Sequence, residues 1–365
     1  MGGITLFAKE DKIAVFDIGS KNIKILTGYI KDKSISIENY EIIPTPENAI
    51  YDGKIVNKEK LIDTLTTVKV KSKDIRVVLS SNNIVLRNFD LPKMEYHEIK
   101  EAIKFEMSVL LPEQIDGYIV DANIIDEFSI DNEENIEIVM LKVQGVAIDR
   151  SIVNDYLDCF SQANYKINVL DIQSNCIFKL FSSENNYIMT KKGETIAEEN
   201  LAIIDMGHEK TAVTFIEDRK ILFHRFLDHG GKDITKVISQ TLDLDLKTAE
   251  QWKHKNDFEF LFKESKNEVE SILYNEINKI FHNITLDIYQ VIEFFVSMST
   301  KKKIDRILIS GGSSLIPTID TYIQQYVNVN TQIIDTLNNV NISKLKSPND
   351  LSIIVNALGA FIRRR

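Results

Sequence analysis
Two short loops of one design open the two halves of this chain, and they restrict its fold more than any other feature. Val15-Phe16-Asp17-Ile18-Gly19-Ser20-Lys21-Asn22 follows one strand-like run, and Ile204-Asp205-Met206-Gly207-His208-Glu209-Lys210-Thr211 follows another. In each, an apolar run meets an Asp, one further residue and a Gly, then polar residues and a second apolar run. Around both loops the alternation predicts a three-stranded meander: Ile13–Phe16, Ile23–Ile30 and Ser34–Ile43 first, then Leu201–Ile204, Thr211–Ile216 and Ile221–Phe226. The same unit at the start of each half implies internal duplication. A third segment, Ile309-Ser310-Gly311-Gly312-Ser313-Ser314, lies between an apolar strand and a helix expected near Pro317.

One Asp-x-Gly after a strand is a common hairpin turn. Two at matched positions, followed by a Gly-Gly loop, have the layout needed to hold a nucleotide between two related lobes. A glycine after a strand lets the backbone approach a phosphate, and successive N–H groups then face the anion. Gly19, Ser20, Lys21 and Asn22 offer this in the first loop; Gly207, His208 and Glu209 offer it in the second. Asp17 and Asp205 would face each other across the cleft, and paired carboxylates suit Mg²⁺ held through its retained waters. Lys24, on the strand leaving the first loop, could reach a phosphate as a point charge. His208 reads as a turn residue and is assigned no catalysis. Gly311 and Gly312 permit close approach of a base or sugar, with the following helix N-terminus adding positive potential.

The chain's 365 residues allow two domains. Its net charge of −10 argues against a broad nucleic-acid surface. Cys159 and Cys176, both in apolar surroundings, read as buried thiols of a reducing compartment, with a disulfide unsupported. The N-terminus lacks a cleavable signal pattern, and no run approaches the roughly 20 apolar residues of a membrane span. A cytoplasmic location follows as the expectation. Between the halves, Ile99, Ala102, Ile103, Met107 and Leu110 fall on one helical face that Pro112 ends. Strands near Gly117–Ile124 and 136–143, and a helix near Arg150–Ala163, complete an α+β block. Residues 182–200 read as a polar connector. A long helix from Glu268 to Met298 carries a core stripe of Val269, Leu273, Ile277, Ile280, Ile284, Ile288, Val291 and Phe295.

These motifs resemble the actin-like ATPase superfamily, and over nearly the whole chain they resemble the PilM family of type IV pilus assembly, related to FtsA. The most specific stretch runs from Leu91-Pro92 through Ala102-Ile103-Lys104-Phe105-Glu106 to Leu111-Pro112. The resemblance implies an α/β, actin-like two-lobe ATPase fold with an inserted α+β subdomain. The first lobe would occupy 1–90 and a return helix at 166–190, the insert 91–165, and the second lobe 191–365. By position, Asp17, Gly19, Ser20 and Lys24 match the first phosphate loop, and Asp205, Gly207 and Thr211 the second. Gly230-Gly231 match a turn into a helix. Glu250 and Lys253 match an Ala-Glu-x-x-Lys element that places Glu at the ribose and Lys near the base. Gly311, Gly312 and Ser313 match the adenosine loop, and Ala357-Leu358-Gly359-Ala360 the closing helix. Gln173 sits near a helix that in relatives carries a water-orienting residue, so catalysis would rest on Asp205 and Gln173. Tyr289-Gln290-Val291 departs from the family's Arg-Arg-Ser-like run.

The resemblance further implies ATP or ADP with Mg²⁺, slow hydrolysis at most, and a scaffold on the inner face of the cell membrane. Its partner would be the N-terminal tail of a PilN-like membrane protein, held between the first lobe and the insert, with no nucleic acid and with self-association as a further expectation. An FtsA-like division protein and a small-molecule kinase are the alternative readings.

Overall fold
The structure, a computed structural model, describes residues 12–131, 137–182, 200–255, 258, 268–299, 301, 303–342 and 350–363. Most of the expected connector, residues 183–199, lies outside them, as do Met1-Gly2-Gly3 and the side chain of Val269. The chain begins with β1 (Ile13–Ile18), β2 (Asn22–Lys31) and β3 (Ser34–Pro44), an antiparallel meander. A small hairpin of β4 (Ile50–Tyr51) and β5 (Lys54–Ile55) leads into α1 (Lys58–Thr67), whose first turn is capped by the Asn57 side chain. β6 (Asp74–Leu79) returns parallel to β1. The excursion that follows contains β7 (Ile84–Pro92), α2 (Tyr96–Leu110), β8 (Tyr118–Asp131) and β9 (Glu137–Asp149). Next come α3 (Arg150–Gln162), β10 (Ile167–Ile172, parallel to β6) and α4 (Gln173–Ser182).

The second half repeats the plan. β11 (Leu201–Met206), β12 (Thr211–Glu217) and β13 (Lys220–Leu227) form the second meander. Helices α5 (Gly231–Leu242), α6 (Leu246–Lys255) and α7 (Glu268–Met298) follow. β14 (Arg306–Ser310) pairs parallel to β11, and α8 (Ile319–Val327) leads to β15 (Thr331–Ile333), parallel to β14. β16 (Val340–Ile342) then crosses to the first half and pairs parallel with β3, and α9 (Asp350–Phe361) closes the described chain.

The duplication is explicit in strand order: β3-β2-β1-β6-β10 in one sheet and β13-β12-β11-β14-β15 in the other. Parallel neighbours need helical crossovers, which cover the sheet faces and explain why β1 and β11 are apolar runs rather than alternating ones. Helices α4 and α9 pack against each other, and their cluster includes Val15 of the first sheet and Leu201 of the second. Gly359 permits their approach: a Cβ there would stand 2.1 Å from the Cys176 carbonyl oxygen.

The inserted sheet, in order β7-β9-β8, starts at Ile84 and ends at Asp149. Ile99, Ile103 and Met107 of α2 pack on it as the periodicity predicts. Leu110 departs from that prediction and is 49% exposed, because the chain turns after α2 and Leu111 enters the core instead. Helix α3, placed with the insert by sequence, turns its apolar face to the first sheet, where Tyr156 and Phe160 join Phe16 and Leu61. Along α7 the expected stripe is buried at Leu273, Ile277, Ile284, Ile288, Val291 and Phe295, with Ile280 at its margin. Both cysteines are buried and free.

Candidate functional site
The duplicated sheets put their matching strand ends face to face. Asp17 leaves β1 and Asp205 leaves β11, and the loops after them line a cavity of about 250 Å³ between the halves. Gly19, Ser20, Lys21 and Asn22 supply one wall; Gly207, His208, Glu209 and Lys210 supply the opposite one; Glu250, His254, Gly312 and Ser313 close one end.

Each loop is fixed by its own backbone. Gly19 N–H donates to the Asn22 carbonyl at 3.1 Å, and Thr45 donates its hydroxyl to the Gly19 carbonyl at 2.6 Å. Gly207 N–H donates likewise to the Lys210 carbonyl at 2.9 Å. The Gly207 carbonyl accepts from Gly231 N–H at 2.9 Å and from the Ser313 hydroxyl at 3.2 Å, which ties the second loop to the start of α5 and to the Gly-Gly loop.

The two aspartates have different surroundings. Lys24, opposite Asp17 in the β1–β2 register, places its ammonium 2.9 Å from the Asp17 carboxylate. Burial works against the Lys24 charge, but Asp17 and Asp205 outweigh it and raise Lys24 above the ordinary lysine value. Asp205 Oδ2 accepts from Gln173 Nε2 at 2.5 Å and from Asn356 Nδ2 at 2.6 Å. Burial, assisted by Asp17, raises the Asp205 carboxyl against the opposing pull of Lys24, Asn356 and Gln173. Among the described residues no group of three His, Cys, Asp or Glu side chains forms a protein-only metal cage. The donor set suits a hard cation that keeps most of its waters, with Asp17 and Asp205 as the available carboxylates.

Gln173 is engaged at both ends, because its Oε1 also accepts from the Ser80 hydroxyl at 2.5 Å. In this arrangement its amide braces Asp205 rather than pointing at solvent. His208 lines the second wall, and burial together with Lys21, Lys253 and Lys232 holds its imidazole down at about 4 despite Glu250. It therefore stands neutral at ordinary pH.

At the far end, Glu250 faces the cavity, accepts from the Thr235 hydroxyl and lies 2.9 Å from Lys253 Nζ. Those bonds and the His254 contact overcome burial and hold its carboxyl well below the usual range. Lys253 is only 1% exposed and lies outside the cavity wall. Its ammonium donates to the Gly231 carbonyl at 3.0 Å and the Thr235 hydroxyl at 2.9 Å, so it knits α6 to the start of α5. Burial lowers Lys253 against the pull of Glu250. Thr211, Gly230, Gly231 and Gly311 also lie behind the wall. Thr211 donates to the His229 carbonyl, and a Cβ on Gly231 would meet the Ser313 hydroxyl at 2.2 Å. Gly311 has φ +90°, and a Cβ there would stand 2.1 Å from Asp205 Oδ1. Gly312 differs: nothing lies within 4 Å of its Cβ position, so a ring or sugar can rest on its backbone. The expected helix start near Pro317 is preceded by a 3₁₀ turn at Gly312–Leu315, and α8 begins at Ile319.

Asp52, Ser80, Lys210, His254 and Asn356 also line the wall and have no role in the sequence motifs. Asn356 had a signal, since it and Ser352 are the polar side chains in the apolar run Leu351–Phe361 and lie four residues apart. Asp52 had none, because its placement depends on a hairpin packing across from the second loop.

Two lobes of duplicated topology, joined by packed helices and enclosing paired Asp-x-Gly loops, define the class of actin-like ATPase folds. The chain belongs to the family of type IV pilus assembly protein PilM, whose model matches residues 15–359. It is similar to the solved PilM–PilN type IV pilus biogenesis complex, with a TM-score of 0.77 at 19% identity over 97% of this chain and 98% of that one. It also resembles MreB 5 of Spiroplasma citri, solved bound to AMPPNP, with a TM-score of 0.54 at 12% identity over 96% and 95% of the two chains. Among curated proteins, the cell division protein FtsA of Staphylococcus epidermidis is 23% identical over 89% of this chain and 74% of its own length. FtsA of Bacillus subtilis is 21% identical over 87% and 77%.

Proposed function
We propose that this chain is an ATP-binding scaffold of the type IV pilus assembly platform. It clasps Mg·ATP between its lobes and docks the N-terminal tail of a PilN-like membrane protein. The observation that carries the reading is the convergence of three separate glycine loops on one cleft, in a chain of the PilM family. Gly19–Asn22 and Gly207–His208 would hold the phosphates, Lys24 would add a point charge, and Asp17 and Asp205 would orient the waters of the cation. Glu250, Gly312 and Ser313 would receive the nucleoside. Bound metal would supply charge neutralisation; the protein's own residues supply position. Gln173, tied to Ser80 and Asp205, favours a clasp over rapid hydrolysis.

No helix among the described residues is long and apolar enough to cross a membrane, so attachment to the inner face of the cell membrane would run through the partner. The inserted sheet leaves β7 and β8 as edge strands, and an extended tail can add to such an edge. Calorimetry with a synthetic N-terminal tail of the neighbouring PilN-like protein tests the docking arm. Saturable one-to-one binding is expected; no heat at any peptide concentration, with or without Mg·ATP, would remove the partner from the reading.

A further inference from the structure
The β4–β5 hairpin does more than connect β3 to α1. Its turn, Asp52-Gly53, reaches the second phosphate loop from the other side of the cleft. Asp52 N–H donates to Glu209 Oε2 at 3.3 Å, and the Asp52 carboxylate lies 3.2 Å from Lys210 Nζ. All four residues line the cavity. We infer that the Asp52–Lys210 pair is a latch between the lobes that sets how fast ligand leaves the cleft.

Three observations make one half of the latch rigid, and a fourth makes the other half movable. The hairpin is held from below, with Ile50 and Ile55 in the first-sheet core and the buried Tyr156 hydroxyl donating to the Gly53 carbonyl at 3.0 Å. Its turn is backbone-specified: Asp52 has φ +49° and Gly53 φ +72°, and a Cβ on Gly53 would stand 2.2 Å from the Ser80 carbonyl oxygen. The Asp52 carboxylate is also oriented within its own lobe, accepting from Asn82 N–H at 3.2 Å and Asn83 Nδ2 at 3.5 Å. Lys210 is the movable half. It has a long side chain, and its second acidic neighbour, Asp228 at 3.6 Å, belongs to its own lobe and is largely exposed. When the lobes part, Lys210 keeps one counter-charge while Asp52 keeps its amide donors, so neither group is stranded. That makes the pair reversible at small cost, as a latch requires.

The consequence for ligand release rests on the nucleotide reading above, whereas the cross-lobe contact does not. Release of a fluorescent ATP analogue by stopped flow, and nitroxide distances between Glu47 and Lys247, test the two separately; both positions are exposed, on opposite lobes. Asp52→Asn and Lys210→Met are each expected to speed release about fivefold, a magnitude suited to a part-exposed ion pair. The double variant is expected to be no faster than either single one, because the two changes break one interaction. In nucleotide-free protein the same variants should lengthen and broaden the interlobe distance. Release rates equal to wild type, or effects that multiply in the double variant, would overturn the latch. So would an unchanged distance distribution, even if the protein bound no nucleotide at all. Absent analogue binding with a distance that does lengthen would instead overturn the nucleotide reading and leave the contact as an interlobe latch without that ligand.

Discussion
Gly311 and Gly312 are neighbours in sequence with opposite duties. Gly311 sits at φ +90° with Asp205 Oδ1 where a Cβ would go, while Gly312 faces open cavity. Gly311→Ala should therefore lower stability in urea by about 2 kcal/mol or more, from strain and the collision together. Gly312→Ala should leave stability within about 0.5 kcal/mol of wild type and, under the proposed function, weaken nucleotide binding, since its methyl group enters the cavity. Histidine supplies a second test at this scale. Burial holds His224 down at about 4, against an ordinary 6.5. With the folded value depressed, the unfolded chain takes up the proton first. The contribution of His224 is fully present above pH 6.5 and is lost as pH falls toward 4. Thermal melts of His224→Gln should show a shallower decline across that window, with about one proton fewer taken up on unfolding. The sequence disclosed the glycines as a pair but not which one faces the open cavity, because that depends on where Asp205 lies across the turn.

At the scale of elements, the meanders, the long α7 and the α2 stripe were legible because each is a local periodic signal. Positions fixed by contact between distant elements were not. Lys253 matched a base-side motif but is consumed by Gly231 and Thr235, since α5 and α6 pack tightly enough to bury its ammonium. Helix α3 looked like part of the insert because it follows β9 directly, yet its aromatic face fits the first sheet. The C-terminal end of α9 shows the same dependence. Arg76, on β6, donates to the Ala360 and Phe361 carbonyls at 2.9 and 2.6 Å and pairs with Asp74, while Lys179 reaches the Ile362 carbonyl. These cations satisfy carbonyls that the helix itself leaves open. Arg76→Met should cost about 2–4 kcal/mol, read by chemical denaturation, because it strips both carbonyls of a buried donor. Gly359→Val should lower the melting temperature as well, since the added atoms would drive α4 and α9 apart at the Cys176 carbonyl.

The whole molecule is two copies of one sheet plan turned so that their loop ends meet, with α4 and α9 packed between and an inserted subdomain carried on the first copy. The insert also touches the second lobe: Lys220 of β13 lies 2.5 Å from Asp126 of β8, and Asn88 donates to the Leu222 carbonyl at 3.3 Å. Anything that changes the angle between lobes therefore reaches the proposed docking element. A ligand held by both lobes and absent from the unfolded chain would stabilise the protein by about 2.7 kcal/mol at a hundredfold excess over its dissociation constant. Calorimetric titration of Mg·ATP is the sharpest test of whether Asp17 and Asp205 hold it as a clasp, as proposed. One saturable site per chain is expected, weakened at least about tenfold by Asp205→Ala. No saturable binding by the wild-type chain, or equal affinity in Asp205→Ala, would contradict it.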